Sequence, residues 1–260
     1  MKVRFGPAGI GSVKAAEETL EEYKKMGVGA AEIPFTYQIF IKNKQDALRI
    51  GKKAKSLGIN LSIHAPYWIN LNSKEDKKIK ESQERILRCC EIGSELGVKK
   101  VVFHCGYYGG MEKEETFQNI KKGVQEIQDK INEKGWKVKL APETMGKINV
   151  FGSVEEISRL VKETGCCFCI DFAHILARYK DYNFEMIKRN FPEKEWHCHF
   201  SGIEYGESGE KKHRDTKKEE WEKLIRGLKK YAKNKEITII SESPQPIKDS
   251  VEGLKVYQND

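Results

Sequence analysis

The sequence lacks any hydrophobic run long enough to cross a membrane. No stretch among its 260 residues approaches the roughly 18 consecutive apolar residues that a bilayer-spanning helix needs. The first residues, MKVRFGPAG, are charged and lack the apolar core of a signal peptide. These two absences predict a cytoplasmic protein with no membrane partner.

The sequence also lacks a disulfide framework. Its seven cysteines are an odd number, and their spacings do not follow a disulfide pattern. Cys166 and Cys169 form a C-x-x-C pair, but they lie in the apolar run CCFCI, which has the character of a strand. Positions three apart in a strand face opposite sides. We therefore interpret these two cysteines as packing residues rather than as a metal pair.

Charge is abundant but only moderately one-sided. The 47 Lys and Arg residues exceed the 39 Asp and Glu residues, which gives a formal net charge of +8. This excess permits a polyanionic partner such as DNA, although charge taken alone fits a solvated, lysine-rich surface better. Hydrophobic residues make up 38% of the chain, enough for a sizeable core. Nothing in the composition indicates an obligate protein partner.

Apolar, strand-like runs alternate with Lys- and Glu-rich helical segments along the whole chain. The eight strand-like runs are 2–6, 30–35, 60–64, 99–104, 137–143, 167–171, 195–200 and 237–242. The helical segments are 13–26, 44–57, 75–96, 114–134, 153–164, 184–190, 217–232 and 247–257. Five helices are followed by a glycine, the usual stop signal: Gly27, Gly58, Gly97, Gly135 and Gly165.

Eight strand–helix units predict an α/β fold closed into a (βα)8 barrel, the TIM-barrel architecture. The segment GPAGIGS after the first strand lacks G-x-G-x-x-G spacing, which disfavours a dinucleotide-binding fold. Periodicity alone leaves an open, doubly wound sheet as the alternative. No linker or change of composition divides the chain, so we expect residues 1–260 to form a single catalytic domain.

Polar residues at the ends of the strands form the most informative pattern. Six apolar runs each end in a histidine or an acid: His64, His104, Glu143, Asp171, His199 and Glu242. In a barrel these side chains converge on the C-terminal rim, where barrel active sites lie. The chain has only six histidines, and two more of them, His174 and His213, lie in segments that can reach the same rim.

Imidazole and carboxylate donors without thiolate suit Zn²⁺, Mn²⁺, Fe²⁺ or Co²⁺. The predicted donors outnumber the roughly four to six that one such ion takes, so the pattern favours a multinuclear site. His197 lies two residues before His199 and shares its face of the strand. We therefore place His197 one layer deeper, as a core or supporting histidine.

The segments SIHAPYWINL, VVFHCG, LAPETMG, CIDFAHILA, HFSGIEYGE and IISESP resemble, in order, those of the endonuclease IV family of abasic-site DNA repair enzymes. The resemblance implies a trinuclear zinc site that hydrolyses the phosphodiester 5′ to an abasic site in double-stranded DNA. It implies that His64 and His104 bind one zinc, which the catalytic Glu143 bridges to a second. It assigns Asp171, His199 and Glu242 to the second zinc, His174 and His213 to the third, and Tyr67 to contact with DNA.

Two departures from the family pattern affect these expectations. The family has an aspartate two residues before the position of His213, where this chain has Lys211. We therefore expect two tightly bound Zn²⁺ ions and a weaker third, unless Glu210 or Asp215 substitutes; Mn²⁺ is a further possibility.

The family arginine after strand 2 is also absent, and Tyr37 or Phe40 could stack on a base there. A basic rim is expected to hold the DNA backbone through Lys211, Lys212 and Arg214.

Two other functions remain open from the sequence. Sugar isomerases and epimerases of the xylose-isomerase-like group use one Mn²⁺ or Co²⁺ on a Glu, Asp, His, Glu set, which Glu143, Asp171, His199 and Glu242 would satisfy. The additional pair His64 and His104 disfavours that mononuclear alternative. A barrel that binds DNA or metal without catalysis is the second alternative.

Overall fold

The computed structural model describes residues 1–259, which form ten strands and nine helices. The strands are β1 Lys2–Pro7, β2 Ala30–Pro34, β3 Asn60–His64, β4 Lys100–Phe103, β5 Lys139–Pro142, β6 Ile170–Asp171, β7 Glu195–Phe200, β8 Gly202–Gly206, β9 Gly209–Arg214 and β10 Glu236–Ser241. The helices are α1 Ala16–Lys25, α2 Lys44–Leu57, α3 Asp76–Leu96, α4 Lys113–Glu133, α5 Val154–Thr164, α6 Phe172–Tyr179, α7 Phe184–Asn190, α8 Lys218–Tyr231 and α9 Pro246–Asn259.

Eight of the strands close into a parallel barrel. They form two four-stranded sheets, in the orders β1-β10-β7-β6 and β2-β3-β4-β5. Bridges at both seams join the sheets, one between Ala8 and Glu32 and the other between Glu143 and Cys169. At the first seam a Cβ on Gly6 would lie 2.0 Å from the carbonyl oxygen of Ala30, so only glycine allows this approach. The predicted barrel is confirmed, and the open sheet is excluded.

The glycine stop signals hold in the structure. Gly27, Gly58, Gly97, Gly135 and Gly165 all have positive φ angles, between 66° and 79°. Glycine adopts this left-handed conformation without the steric clash that a Cβ would cause. The chain therefore leaves each helix sharply and returns to the next strand of the barrel.

Apolar helix faces cover the outside of the barrel. Trp221 of α8, for example, is fully buried, and its ring lies 4.7 Å from that of Phe200 and 5.9 Å from that of Phe5. Burial of such large rings contributes roughly 25 cal/mol for each Å² of apolar surface removed from water. Among residues 1–259, no helix has the length and apolar character that crossing a bilayer requires.

Two parts of the structure differ from the sequence-based prediction. The segment after Asp171 forms the short helix α6, and β8 and β9 form an antiparallel hairpin where a long loop was expected. The strand and α6 share one continuous apolar run, CFCIDFAHILA, so the sequence pattern does not mark where the helix begins. Asp171 caps α6 by accepting a hydrogen bond from the backbone N–H of His174 at 2.7 Å. The hairpin sequence is polar and charged, so it lacks the apolar alternation by which strands are recognised.

Candidate metal centre

The eight predicted metal-binding residues meet at the C-terminal rim of the barrel. His64, Asp171 and His199 lie at the ends of β3, β6 and β7. His104, Glu143 and Glu242 directly follow β4, β5 and β10, while α6 and β9 supply His174 and His213. Several of these side chains line a cavity of about 550 Å³ that opens at this rim.

Glu143 lies at the centre of the group and is fully buried. Its Oε2 atom is 3.1 Å from Nε2 of His64 and 3.0 Å from Nε2 of His104. Its Oε1 atom is 3.1 Å from Nδ1 of His199. The two oxygens of this one carboxylate therefore face two different sets of nitrogen donors, which is the arrangement that a bridging carboxylate requires.

The Oε1 side of Glu143 faces a group rich in carboxylates. Ligand atoms of Glu143, Asp171, His199 and Glu242 all lie within 4.8 Å of one another. The Oδ2 atom of Asp171 is buried and makes no hydrogen bond to any residue among 1–259. A buried carboxylate oxygen without a partner is unfavourable. The donor set and this oxygen both fit a divalent cation.

A third group lies beside the second. The Nε2 atoms of His174 and His213 are 3.3 Å apart, and ligand atoms of both histidines lie within 4.8 Å of one on Asp171. The Nδ1 atom of His174 is 2.9 Å from the carbonyl oxygen of Thr144, to which it donates, and Ser201 contacts Nδ1 of His213 at 2.9 Å. Both rings are thus held with Nε2 turned towards the third group.

Glu210 places a carboxylate beside the third group, where Lys211 offers none. Its Oε2 atom lies 3.4 Å from Nε2 of His174, and its Oε1 atom lies 3.9 Å from Nε2 of His213. The other candidate acid, Asp215, instead accepts a hydrogen bond from Gln245 at 2.7 Å. Of the two substitutes considered from the sequence, the structure places Glu210 at the third group.

A β-bulge explains this placement. In the hairpin, Glu204 pairs with Lys212 and Tyr205 pairs with Glu210, so Lys211 is an extra residue without a cross-strand partner. The bulge brings Glu210 and His213, three residues apart, to the same side of the ribbon. The exposed Lys211 lies over Gly206 instead. Lys211 occupies the position of the family aspartate in the sequence, but the bulge turns Glu210, one residue earlier, towards the histidines.

Charges within the group balance one another. Burial raises the pKa of Glu143, but the nearby imidazoles of His199 and His104 outweigh burial and hold it well below its usual range. Burial lowers the pKa of His64, but the hydrogen bond and charge of Glu143 raise it to about 9. For Asp171, burial together with the charge of Glu143 outweighs the charge of His174 and raises the pKa. Protons on imidazoles thus compensate the carboxylates when no cation does so.

The predicted DNA-contacting residues differ in their availability. Tyr67 lies at the edge of the mouth, 48% exposed, with its ring 5.8 Å from that of His104 and nearly parallel to it. Lys211 is exposed, and Lys212 forms a surface pair with Glu204 at 3.3 Å. Arg214 donates two hydrogen bonds to the carboxylate of Glu220, at 2.9 and 2.6 Å, so its guanidinium is already paired within the chain.

Exposed aromatic side chains surround the mouth. Tyr37 is 75% exposed, and its ring contacts that of Tyr67 edge-on at 6.4 Å. Trp68 and Tyr107, which the sequence did not single out, are 63% and 52% exposed. Phe40 instead packs on Phe35 at 5.0 Å, so of the two aromatics proposed after β2 only Tyr37 is free to stack.

Sequence-based prediction also missed Glu32. This side chain is fully buried inside the barrel, one layer below the metal-binding group. Its Oε2 atom lies 2.9 Å from Nε2 of His197, which agrees with the interpretation of His197 as a deeper histidine. The available signal was one acid in the otherwise apolar strand AAEIP.

Comparison with known proteins supports this architecture. Residues 20–259 match the family described as xylose isomerase-like TIM barrel. The chain belongs to this family. An uncharacterized protein of Methanocaldococcus jannaschii, MJ0133, is 35% identical across 97% of this chain and 96% of its own length.

Several relatives bear the name probable endonuclease 4. A probable endonuclease 4 of Acholeplasma laidlawii is 32% identical, across 46% of this chain and 44% of that relative. The chain thus aligns with somewhat less than half the length of that protein. The resemblance to endonuclease IV enzymes is nonetheless confirmed.

Solved structures of this fold include both nucleases and epimerases. Endonuclease IV from Thermus thermophilus superposes with a TM-score of 0.72 at 19% identity, covering 100% of this chain and 98% of that one. A 3-keto-D-glucoside 4-epimerase from E. coli gives the same TM-score at 13% identity, covering 100% of both chains. At these identities the similarity establishes the fold alone, and the function must be argued from the side chains.

Proposed function

We propose that the chain is a metal-dependent endonuclease that hydrolyses duplex DNA on the 5′ side of abasic sites. The observation that carries this proposal is the pair His64 and His104 on the Oε2 side of Glu143. A mononuclear enzyme would use only the donors around Oε1. The second set of donors, sharing one carboxylate with the first, favours a multinuclear phosphodiester hydrolase.

The donor groups suggest how the metals are held. We assign one ion to His64, His104 and Glu143, and a second to Glu143, Asp171, His199 and Glu242. A third would be held by His174 and His213, with Glu210 beside them. We favour Zn²⁺ at all three positions, with Mn²⁺ as a substitute. When bound, such ions make water nucleophilic near neutral pH and offset charge that develops on phosphoryl oxygens.

The chain's own residues suit a DNA substrate. The cavity of about 550 Å³ can admit a sugar-phosphate that has left the helix, and extrusion costs least where no base is stacked or paired. Tyr37, Tyr67 and Tyr107 offer exposed rings at the mouth on which neighbouring bases can stack. Lys211 and Lys212 lie on the adjacent hairpin, where they can contact the DNA backbone.

A mononuclear sugar isomerase or epimerase is the second candidate. The observation that favours it is the set Glu143, Asp171, His199 and Glu242, whose ligand atoms would hold one Mn²⁺ or Co²⁺ without further donors. The fold is equally compatible with it. In that case His64 and His104 would contribute nothing essential to the metal.

Strand scission separates the two candidates. Abasic and intact duplexes of the same sequence would be incubated with the protein, with and without a chelator, and the product ends analysed. We expect chelator-sensitive scission of the abasic duplex alone, leaving a 3′-hydroxyl, and its loss in Glu143→Gln. Epimerisation of ketoses with no scission above background would overturn the proposal.

A further inference from the structure

Glu32 occupies an unusual place inside the barrel. Barrel interiors are filled mainly by branched apolar side chains, yet Glu32 is fully buried there. Ser62 donates to its Oε2 atom at 2.7 Å, and Nε2 of His197 lies 2.9 Å from the same oxygen. Its other oxygen, Oε1, lies 2.7 Å from Nε2 of His199. Burying a carboxylate costs free energy unless the carboxylate is hydrogen-bonded or paired with a positive charge.

His199 connects Glu32 to the metal centre. Its Nδ1 atom faces the C-terminal rim, 3.1 Å from Glu143 and 3.5 Å from Glu242. Its Nε2 atom faces Glu32 in the barrel interior. A neutral imidazole binds a metal through the nitrogen that carries no proton. A proton on Nε2, next to the carboxylate of Glu32, therefore leaves the Nδ1 lone pair directed at the metal centre.

We propose that Glu32 is a positioning residue that fixes the tautomer and ring orientation of His199 for metal binding. The inference rests on the proposed function only in requiring a metal at the group of Glu143, Asp171, His199 and Glu242. The contact between Oε1 and Nε2 is oblique rather than an aligned hydrogen bond, so it acts chiefly through charge. A carboxylate paired with a metal-bound histidine also makes that imidazole a stronger ligand.

Ser62 and His197 hold Glu32 in place from the other side. Their two contacts fix Oε2, so that Oε1 remains directed at His199. His197 also lines a cavity of about 740 Å³ at the opposite mouth of the barrel. The residues His197, Glu32 and His199 thus form a polar chain through the barrel interior that ends at the metal centre.

The first test compares Glu32→Gln with Ser62→Ala. Both changes remove one polar contact in the same buried layer, but only the first removes the charge beside His199. Zinc affinity would be measured by competition with a chromogenic chelator, and site geometry by the visible spectrum of the Co²⁺-substituted protein. We expect about 10- to 100-fold weaker zinc binding and an altered Co²⁺ spectrum for Glu32→Gln, and a clearly smaller effect on both for Ser62→Ala, because His197 still holds Oε2.

A second measurement is made on the wild-type chain. Nitrogen-15 NMR of the histidine rings in the zinc-loaded wild-type chain reports which nitrogen of His199 carries a proton, with the signal assigned by comparison with His199→Gln. We expect the proton on Nε2 and the metal on Nδ1. Metal on Nε2, or unchanged zinc affinity and Co²⁺ spectrum in Glu32→Gln, would overturn the positioning role. These readouts do not involve DNA, so absence of scission would count against the proposed nuclease alone.

Discussion

At the scale of single residues, Glu143 is the side chain on which the proposed site depends most. Both of its oxygens face histidine nitrogens, and it is fully buried. Glu143→Gln keeps the shape but removes the charge that two ions would share. We expect the variant to lose at least one zinc ion per chain and more than about 100-fold in activity, since loss of a mere supporting contact already costs 10- to 100-fold.

Tyr67→Ala is the matched comparison for that variant. Tyr67 lies at the mouth beside His104 but has no ligand atom in the donor groups. Because stacking on a base contributes about 1–3 kcal/mol, its loss should raise KM roughly tenfold and leave zinc content unchanged. Elemental analysis and steady-state kinetics on both variants measure the difference. Equal zinc content in Glu143→Gln and wild type would argue against a bridging carboxylate.

The histidine pKa values predict that metal binding releases protons. The charge and hydrogen bond of Glu143 raise the pKa of His64 to about 9 against the effect of burial, so the metal-free protein carries this proton at pH 7. Metal binds only the neutral ring. Zinc affinity should therefore rise with pH towards about 9. Calorimetric titrations at pH 7 in two buffers of different ionisation enthalpy should show at least one proton released per chain; no release would contradict the prediction.

The same pKa shift has an opposite consequence for the metal-free fold. A histidine with a raised folded-state pKa stabilises the fold fully below its unfolded value of about 6.5. This contribution is lost as the pH rises through about 9, the folded-state pKa of His64. The melting temperature of the metal-free protein should accordingly decrease as the pH is raised from about 6.5 to about 9. Added zinc should reduce that decrease.

The sequence predicted the location of a side chain correctly where its position on a strand determines the direction in which it points. Side chains that end parallel strands must meet at one rim, which is why His64, Asp171 and His199 could be grouped from the sequence alone. Glu32 was missed because alternation tells which face a side chain takes but not whether that face is the barrel interior or the helix layer. The exposure of Trp68 depends on the path of its loop, which local sequence does not encode.

At the scale of elements, the hairpin of β8 and β9 has the largest effect on the site. Its bulge at Lys211 turns Glu210 towards His174 and His213. Bulges arise from the pairing of two strands, and neither strand was recognisable in the polar segment 202–214. The regular parts of the fold were predictable for the opposite reason, because amphipathic helices ending in glycine and apolar strands carry local signals.

The bulge predicts how the third metal is held. In Glu210→Gln a full negative charge is lost beside two imidazoles, so third-site occupancy should fall and dialysed protein should approach two zinc ions per chain. Asp215→Asn is the control, because Asp215 contacts Gln245 instead. Wild type and the control should retain more zinc than Glu210→Gln. Identical zinc content in all three proteins would show that Glu210 is not a ligand.

At the scale of the whole molecule, the barrel sets the position of the site but not its chemistry. Parallel strands bring six polar ends to one rim, and the same fold serves an endonuclease and an epimerase with equal structural similarity to this chain. We propose that the number of donor groups at the rim separates the two chemistries. The central claim is therefore that Glu143 lies between two ions rather than beside one.

Anomalous diffraction from crystals of the zinc-loaded protein tests that claim most directly. We predict one zinc peak bounded by His64, His104 and Glu143, and a second bounded by Glu143, Asp171, His199 and Glu242. A third peak should lie between His174 and His213. A single peak within the second group, with His64 and His104 unengaged at saturating zinc, would contradict the claim and favour a mononuclear enzyme.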